Sequence, residues 1–208
     1  MDFAKKNDKV ISLGVLILTV IFVFVFTRSF FLGFVDEYKI IGGFVKFFFL
    51  ASIGDFIGLR LKQSFWQVPK KIFFKATIWG LIGSVIVLVF TIFNTGVIEL
   101  QAKGILPFED VLFATALFTS IFMNVIFAPT MMAFHRVSDQ YLNGSDSIES
   151  AVKEVNWVHF YKIVLLRTLP LFWIPAHTIT FMLPFEYRVI FAAVLGIALG
   201  LLLSLFKK

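Results

Sequence analysis

The chain has 208 residues, of which 59% are hydrophobic and only 15% charged, with a formal net charge of +6 and no cysteine. Its apolar residues stand in long unbroken runs, so the solvent they suit is lipid, which excludes a soluble globular domain. The lack of cysteine excludes disulfides, thiol chemistry and cysteine metal sites, and the basic residues fall in short loops, where they serve membrane topology better than nucleic-acid binding.

These properties predict an all-α integral membrane helical bundle of about six transmembrane helices, forming one membrane domain over residues 1–208. A lysine-bearing tail, residues 1–9, leads into a first span over Val10–Thr27, of about 18 residues. No small-x-small cleavage site follows it, so it reads as a retained span and not a signal peptide. A loop with Asp36 and Glu37 leads to the second span, Ile40–Leu61. Asp55, Gly58 and Lys62 share one helical face there, and Lys46 is expected to snorkel to the nearer surface.

The segment 60–75 is the most basic, with Arg60, Lys62, Lys70, Lys71 and Lys75, and suits contact with anionic lipid head groups. The third span, Ile72–Ile98, carries a small-and-polar stripe through Gly80, Ser84, Thr91 and Asn94. Gly80 and Ser84 form a small-xxx-small pair that lets helices approach closely. The fourth span, Val111–Phe134, aligns Ala116, Ser120 and Asn124 on one face, and Pro129 is expected to loosen it near its end.

Residues 135–162 make the longest connection. Asn143-Gly144 reads as a turn, and Asp146 with Glu149 resembles a capping box opening a short helix with one apolar face. Ile163–Leu183 is the fifth span and Phe185–Phe206 the sixth, after a turn at Pro184. Ala192, Gly196, Gly200 and Ser204 recur every fourth residue, a face built for close packing. With six spans, thirteen of the nineteen Lys and Arg lie on the side that holds both termini, which makes that side cytoplasmic.

The stretch Arg167–Arg188 carries the most polar chemistry inside lipid. Arg167, Pro170, Ile174 and His177 follow helical spacing. They make either one wall of a polar path or a kinked helix whose polar groups are satisfied by neighbours. Asp55 is the acid most clearly inside a span, and it either pairs with Arg167 or leaves Arg167 to snorkel. Thr91, Asn94 and Asn124 either line the same interior or bond helices to one another.

Catalysis is not expected. The three histidines, His135, His159 and His177, form no metal-binding motif, and no cofactor is implied. His135-x-x-x-Asp139 is one residue short of the spacing that lipid acyltransferases use, with Gln140 at the required position.

Several short motifs occur in a fixed order. Gly54-Asp55 comes late in a span, and Gly80-x-x-Gly83 precedes Val89-Phe90. Ala128-Pro129 closes the fourth span, and Ile174-Pro175-Ala176 precedes Pro184-x-x-Tyr187-Arg188. This order resembles the Mpv/PMP family of peroxisomal and mitochondrial inner-membrane proteins. The resemblance runs from about Phe47 to the C-terminus, making residues 40–208 a family-like core and 1–39 an added span and loop. It departs from the family pattern at Ser84, Val89, Phe90, Met123, Asn124, Ile174 and Thr178.

The resemblance implies a channel or pore-like bundle for small solutes, with a non-conducting structural role as the alternative. The partners expected are the bilayer and small solutes, with homo-oligomerisation compatible and nucleic acid excluded. The N-terminus lacks a transit-peptide composition and an extra span is present, which favours a prokaryotic cell membrane. The family's relatives imply a peroxisomal or mitochondrial inner membrane.

Overall fold

A computed structural model describes residues 8–26, 28, 33, 37–63, 65–68 and 71–205. The tail ahead of Asp8, Asp36, Pro69, Lys70 and the terminal Lys207–Lys208 lie outside them, as do the surroundings of Lys62, Gly200 and Ser204. The described residues are helical and include no strand. The helices are α1 (Asp8–Phe26), α2 (Lys39–Gln63), α3 (Ile72–Ala102), α4 (Leu112–Ile126) and α5 (Ala128–Asn143). They continue with α6 (Ile148–Glu154), α7 (Trp157–Met182) and α8 (Phe185–Leu205).

Helices α1, α2, α3 and α7 are each long and apolar enough to cross a membrane, and α4 with α5 makes a fifth if that bent pair is one span. The chain packs as two units, Met1–Ser84 with Val189–Lys208 and Val85–Arg188, so α3 and α8 each contribute to both.

The first unit is built on aromatic rings and missing side chains. Lipid removes the hydrophobic drive between helices, so contact quality decides which faces meet. A Cβ on Gly80 would lie 2.6 Å from the Phe44 ring, and one on Gly83 would meet the Gly43 carbonyl and lie 2.6 Å from Phe47 Cβ. Both glycines therefore bring α3 against α2. Ser84 Oγ donates to the Ile40 carbonyl at 3.1 Å along the same seam.

Stacked rings extend the contact, Phe47 with Trp79 and Phe22 with Phe49. At the basic end, Arg60 makes a two-pronged ion pair with Asp8 and Trp66 Nε1 donates to Ser12 Oγ at 3.0 Å, tying α1 to the end of α2. Lys46 does not snorkel: its side chain is fully buried. The neighbouring residues Phe47, Leu50 and Ala51 are buried as well, so this stretch of α2 faces protein.

The last helix meets this unit along Val189, Ala193 and Ile197, all buried. Gly54 supplies the clearance, since a Cβ on it would lie 3.1 Å from Ile197. This corrects the expected packing face. Ala192 is buried, but a Cβ on Gly196 would meet nothing within 4 Å. At the contact with Ile197 the missing side chain lies on α2, at Gly54.

In the second unit three departures from expectation have local causes. The fourth span is not one helix: α4 and α5 meet at Phe127 with a bend of 46°. Pro129 has no N–H to donate and its ring crowds the preceding turn, so the α4 ladder stops before it and α5 restarts with proline in its first turn. Helix α5 then runs on to Asn143, through part of the expected loop, and ends at Gly144 with φ of +131°, a backbone that favours glycine.

The short helix α6 is capped by Ser147 and not by Asp146. Ser147 Oγ accepts from the Ser150 N–H at 3.0 Å, and Glu149 pairs with Lys153 instead of closing a box.

Helix α3 overruns its expected end to Ala102. Gln101 lies buried there, donating to the Pro107 and Phe108 carbonyls and accepting from Thr115 Oγ1. This side chain satisfies the loop that turns the chain from α3 into α4.

Candidate functional site

The polar side chains of the second unit converge where α4 and α7 pack. Buried there are Thr119, Ser120, Asn124, His177, Thr178 and Thr180. Ala116, Ser120 and Asn124 recur every fourth residue, so one face of α4 delivers small and polar groups to the partner helix. Helix α7 reaches that face through an unusual backbone. Phe160–Trp173 is π-helical, with Pro170 inside it, and Ile174–Met182 resumes the α-helix with Pro175 in its first turn.

Pro170 removes one main-chain donor. A shift to bonds five residues apart re-satisfies its neighbours, as in the Ile174 N–H to the Leu169 carbonyl. Thr168 Oγ1 donates to the Ile163 carbonyl over the same interval, at 2.9 Å.

The carbonyl of Ile174, beside Pro175, accepts from Ser120 Oγ at 2.7 Å and from Thr178 Oγ1 at 2.8 Å. Ser120 therefore bonds α4 directly to the backbone of α7 beside Pro175. One turn on, Asn124 Nδ2 donates to the Ser120 carbonyl at 2.8 Å. Its amide also faces His177 Nδ1, with Nδ2 at 3.1 Å and Oδ1 at 3.2 Å.

A donor and an acceptor thus stand at nearly equal distance from one ring nitrogen. In either neutral tautomer His177 Nδ1 keeps a hydrogen bond to Asn124, as donor to Oδ1 or as acceptor from Nδ2. The walls are aromatic. Trp173 stacks on His177 with centroids 5.2 Å apart, and Phe90 meets its edge at 5.9 Å. Trp173 Nε1 is buried and makes no hydrogen bond among the described residues.

A second polar chain runs alongside. Arg188 Nη1 donates to Asn94 Oδ1 at 2.9 Å and its Nε to the Leu183 carbonyl at 2.9 Å. Asn94 Nδ2 donates in turn to Thr119 Oγ1 at 3.4 Å. The Arg188 guanidinium also lies 5.5 Å from the Phe181 ring centre. Pro184 and Tyr187 set this up: the Leu183 backbone is extended ahead of Pro184, and the Tyr187 N–H bonds the Pro184 carbonyl at the turn into α8.

The residues singled out from sequence therefore divide. Asn124, His177, Asn94 and Arg188 enter the polar interior of the second unit. Thr91 does not: it is exposed and donates back to the Val87 carbonyl of its own helix, because its position faces away from Asn94's partners. Asp55 belongs to the first unit, where Trp79 Nε1 donates to its Oδ2 at 3.0 Å, and Arg167 stands exposed on the π-helical stretch of the second.

Ala128 is buried behind the α4–α5 bend, and Pro175 and Pro184 are exposed at their turns. Gln101, Thr119 and Trp173 were not anticipated. Gln101 stands between Glu99 and Lys103 and Thr119 beside Ser120, so neither was set apart from its polar neighbours in the sequence. Among the described residues no three His, Asp or Glu side chains are grouped as a metal site requires. No known family model, no curated protein and no solved structure matches this chain.

Proposed function

We propose that this chain is a six-span membrane protein of the Mpv/PMP type that acts as a channel or pore-like protein for small polar solutes or protons. The His177–Asn124–Ser120 cluster would be its polar interior. One observation carries the reading: a buried histidine in a candidate span, on a helix interrupted by prolines, faces an amide that can bond its Nδ1 in either tautomer. Polar groups in lipid are costly to retain, and a relay or solute contact is the usual reason they are kept.

The sixth span of this reading is α8, and the cytoplasmic side holds both termini and the basic 60–75 segment. The prokaryotic cell membrane is the proposed location. No catalytic role is assigned.

A second reading is a non-conducting protein that stabilises a membrane or partner. It is favoured by the bonds from Ser120 to the Ile174 carbonyl and from Arg188 to Asn94, which join segments without leaving a free group. Purified protein in liposomes separates the two, with proton and small-solute flux measured for the wild type, Asn124→Leu and His177→Phe. The channel reading expects wild-type flux that both substitutions suppress. A sealed bilayer at high protein density, with the helical content intact, leaves the structural reading standing.

A further inference from the structure

The first unit contains a cavity of about 360 Å³ between α1, α2 and α3, lined by residues such as Val15, Phe22, Phe49, Ser52, Phe56 and Ala76. Its one polar group is turned away, because Ser52 Oγ donates to the Phe48 carbonyl of its own helix. An apolar space of this kind does not hold ordered water, and all three of its helices are apolar enough to cross a membrane. Hydrocarbon is the solvent available to fill it.

The cavity also has a defined end. Arg60 pairs with Asp8, which brings the end of α2 level with the start of α1. Phe56 is four residues from Arg60, about 6 Å along the helix. Val15 is six residues from Lys9, about 9 Å. Ile72, a further lining residue, directly follows Lys71. Lys9 and Lys71 are exposed, and neither forms an ion pair among the described residues. Arg60 is neutralised by Asp8, so among the described residues these two lysines are open positive charges at that end.

We infer that this cavity holds one acyl chain of an anionic phospholipid whose phosphate is held by Lys9 and Lys71. The chain moves from hydrocarbon to a hydrocarbon-like cavity, so burial contributes little preference between lipids. Selectivity comes from the head group.

The test is native mass spectrometry of the delipidated full-length protein, titrated with phosphatidylglycerol and with phosphatidylcholine of the same acyl chains. The wild type is expected to prefer phosphatidylglycerol by roughly ten-fold or more, since each lysine near an anionic group contributes roughly five-fold. Lys9→Gln with Lys71→Gln removes most of that preference, weakening phosphatidylglycerol binding far more than binding of zwitterionic phosphatidylcholine. Ala76→Phe, which fills the cavity, weakens both lipids. If that variant does not fold, the lysine pair decides alone. Equal binding of the two lipids by the wild type, or an unchanged preference in the lysine pair, overturns the site. So does a Leu18→Cys disulfide dimer in pure phosphatidylcholine vesicles, since Leu18 also lines the cavity and a second copy would then occupy it.

Discussion

The two units solve the same problem of holding helices together in lipid by different means. In the first, glycines remove side chains at Gly54, Gly80 and Gly83, and the rings of Phe44 and Phe47 and the side chain of Ile197 fill the clearance. In the second, hydroxyls, amides and a guanidinium cross from one segment to another through Ser120, Asn124, Thr119, Asn94 and Arg188. The first kind of contact is steric and tolerates an added atom least at Gly83, where it would meet main chain. The second is directional and tolerates loss of one bond, because double-mutant cycles on interhelical hydrogen bonds in a folded membrane protein average only about 0.6 kcal/mol. The glycine seam should therefore be the more sensitive to substitution, although the polar interior holds the chemistry.

The hardest break is at Gly83. Gly83→Val puts atoms into the Gly43 carbonyl and Phe47. Backbone cannot give way as a flexible side chain does, so a loss of about 3 kcal/mol is expected. Thermal unfolding in detergent measures it, and a wild-type midpoint would show that the seam is not tight.

Asn124→Leu comes next. It leaves His177 Nδ1 without a bond inside the helix pair and should destabilise by about 1–2 kcal/mol. Asn124→Asp, which keeps an acceptor for Nδ1, should retain more stability than the leucine variant in the same unfolding assay. The reverse order would show that packing, not the hydrogen bond, governs the site.

Asp55 tests the first unit's few polar contacts. Asp55→Asn preserves an acceptor for Trp79 Nε1 and should be near neutral, whereas Asp55→Leu should cost about 0.6 kcal/mol. A large effect of Asp55→Asn on unfolding would mean that the charge itself is needed, reviving an ion-pair role.

The smallest effect expected lies on the exposed surface outside the spans. Hydrogen bonds from Ser145 and Gln140 hold the Glu154 carboxyl below its usual value of 4.5. A lowered value in the folded protein means that the charged form stabilises the fold. This contribution is present above the usual carboxylate value and is lost as pH falls through the lower folded value. Amide exchange around Ser145 should rise slightly in acid, and Glu154→Gln should remove that dependence.

Much of the first unit was legible because its signals are local. The apolar runs place α1, α2 and α3 within a few residues of their observed starts, and Gly80 marked the close approach to α2. The polar interior was legible in part. Asn124 and His177 stood out as polar residues in apolar runs, but neither spacing nor composition says which helices face each other, so their pairing was not readable. Thr91 shows the converse failure: it kept helical spacing with Asn94, yet its hydroxyl found the nearest carbonyl in its own helix. Gly196 fails for a similar reason, since a small-residue face is only a capacity for close packing and the partner helix decides whether it is used.

The sequence by itself determined that this chain is helical and built for a membrane, because apolar runs of span length leave the backbone no other way to satisfy its hydrogen bonds in lipid. It also marked Pro129 as a weak point of the fourth span, since proline cannot donate whatever surrounds it, but not that the helix breaks there with a 46° bend. Only the tertiary structure decided that Asn124 meets His177, that Arg188 reaches Asn94, and that Gly54, not Gly196, accommodates the last helix. Those outcomes depend on which faces of separate helices come into contact. In lipid that choice rests on small differences in packing and directional bonding that no stretch of sequence carries alone.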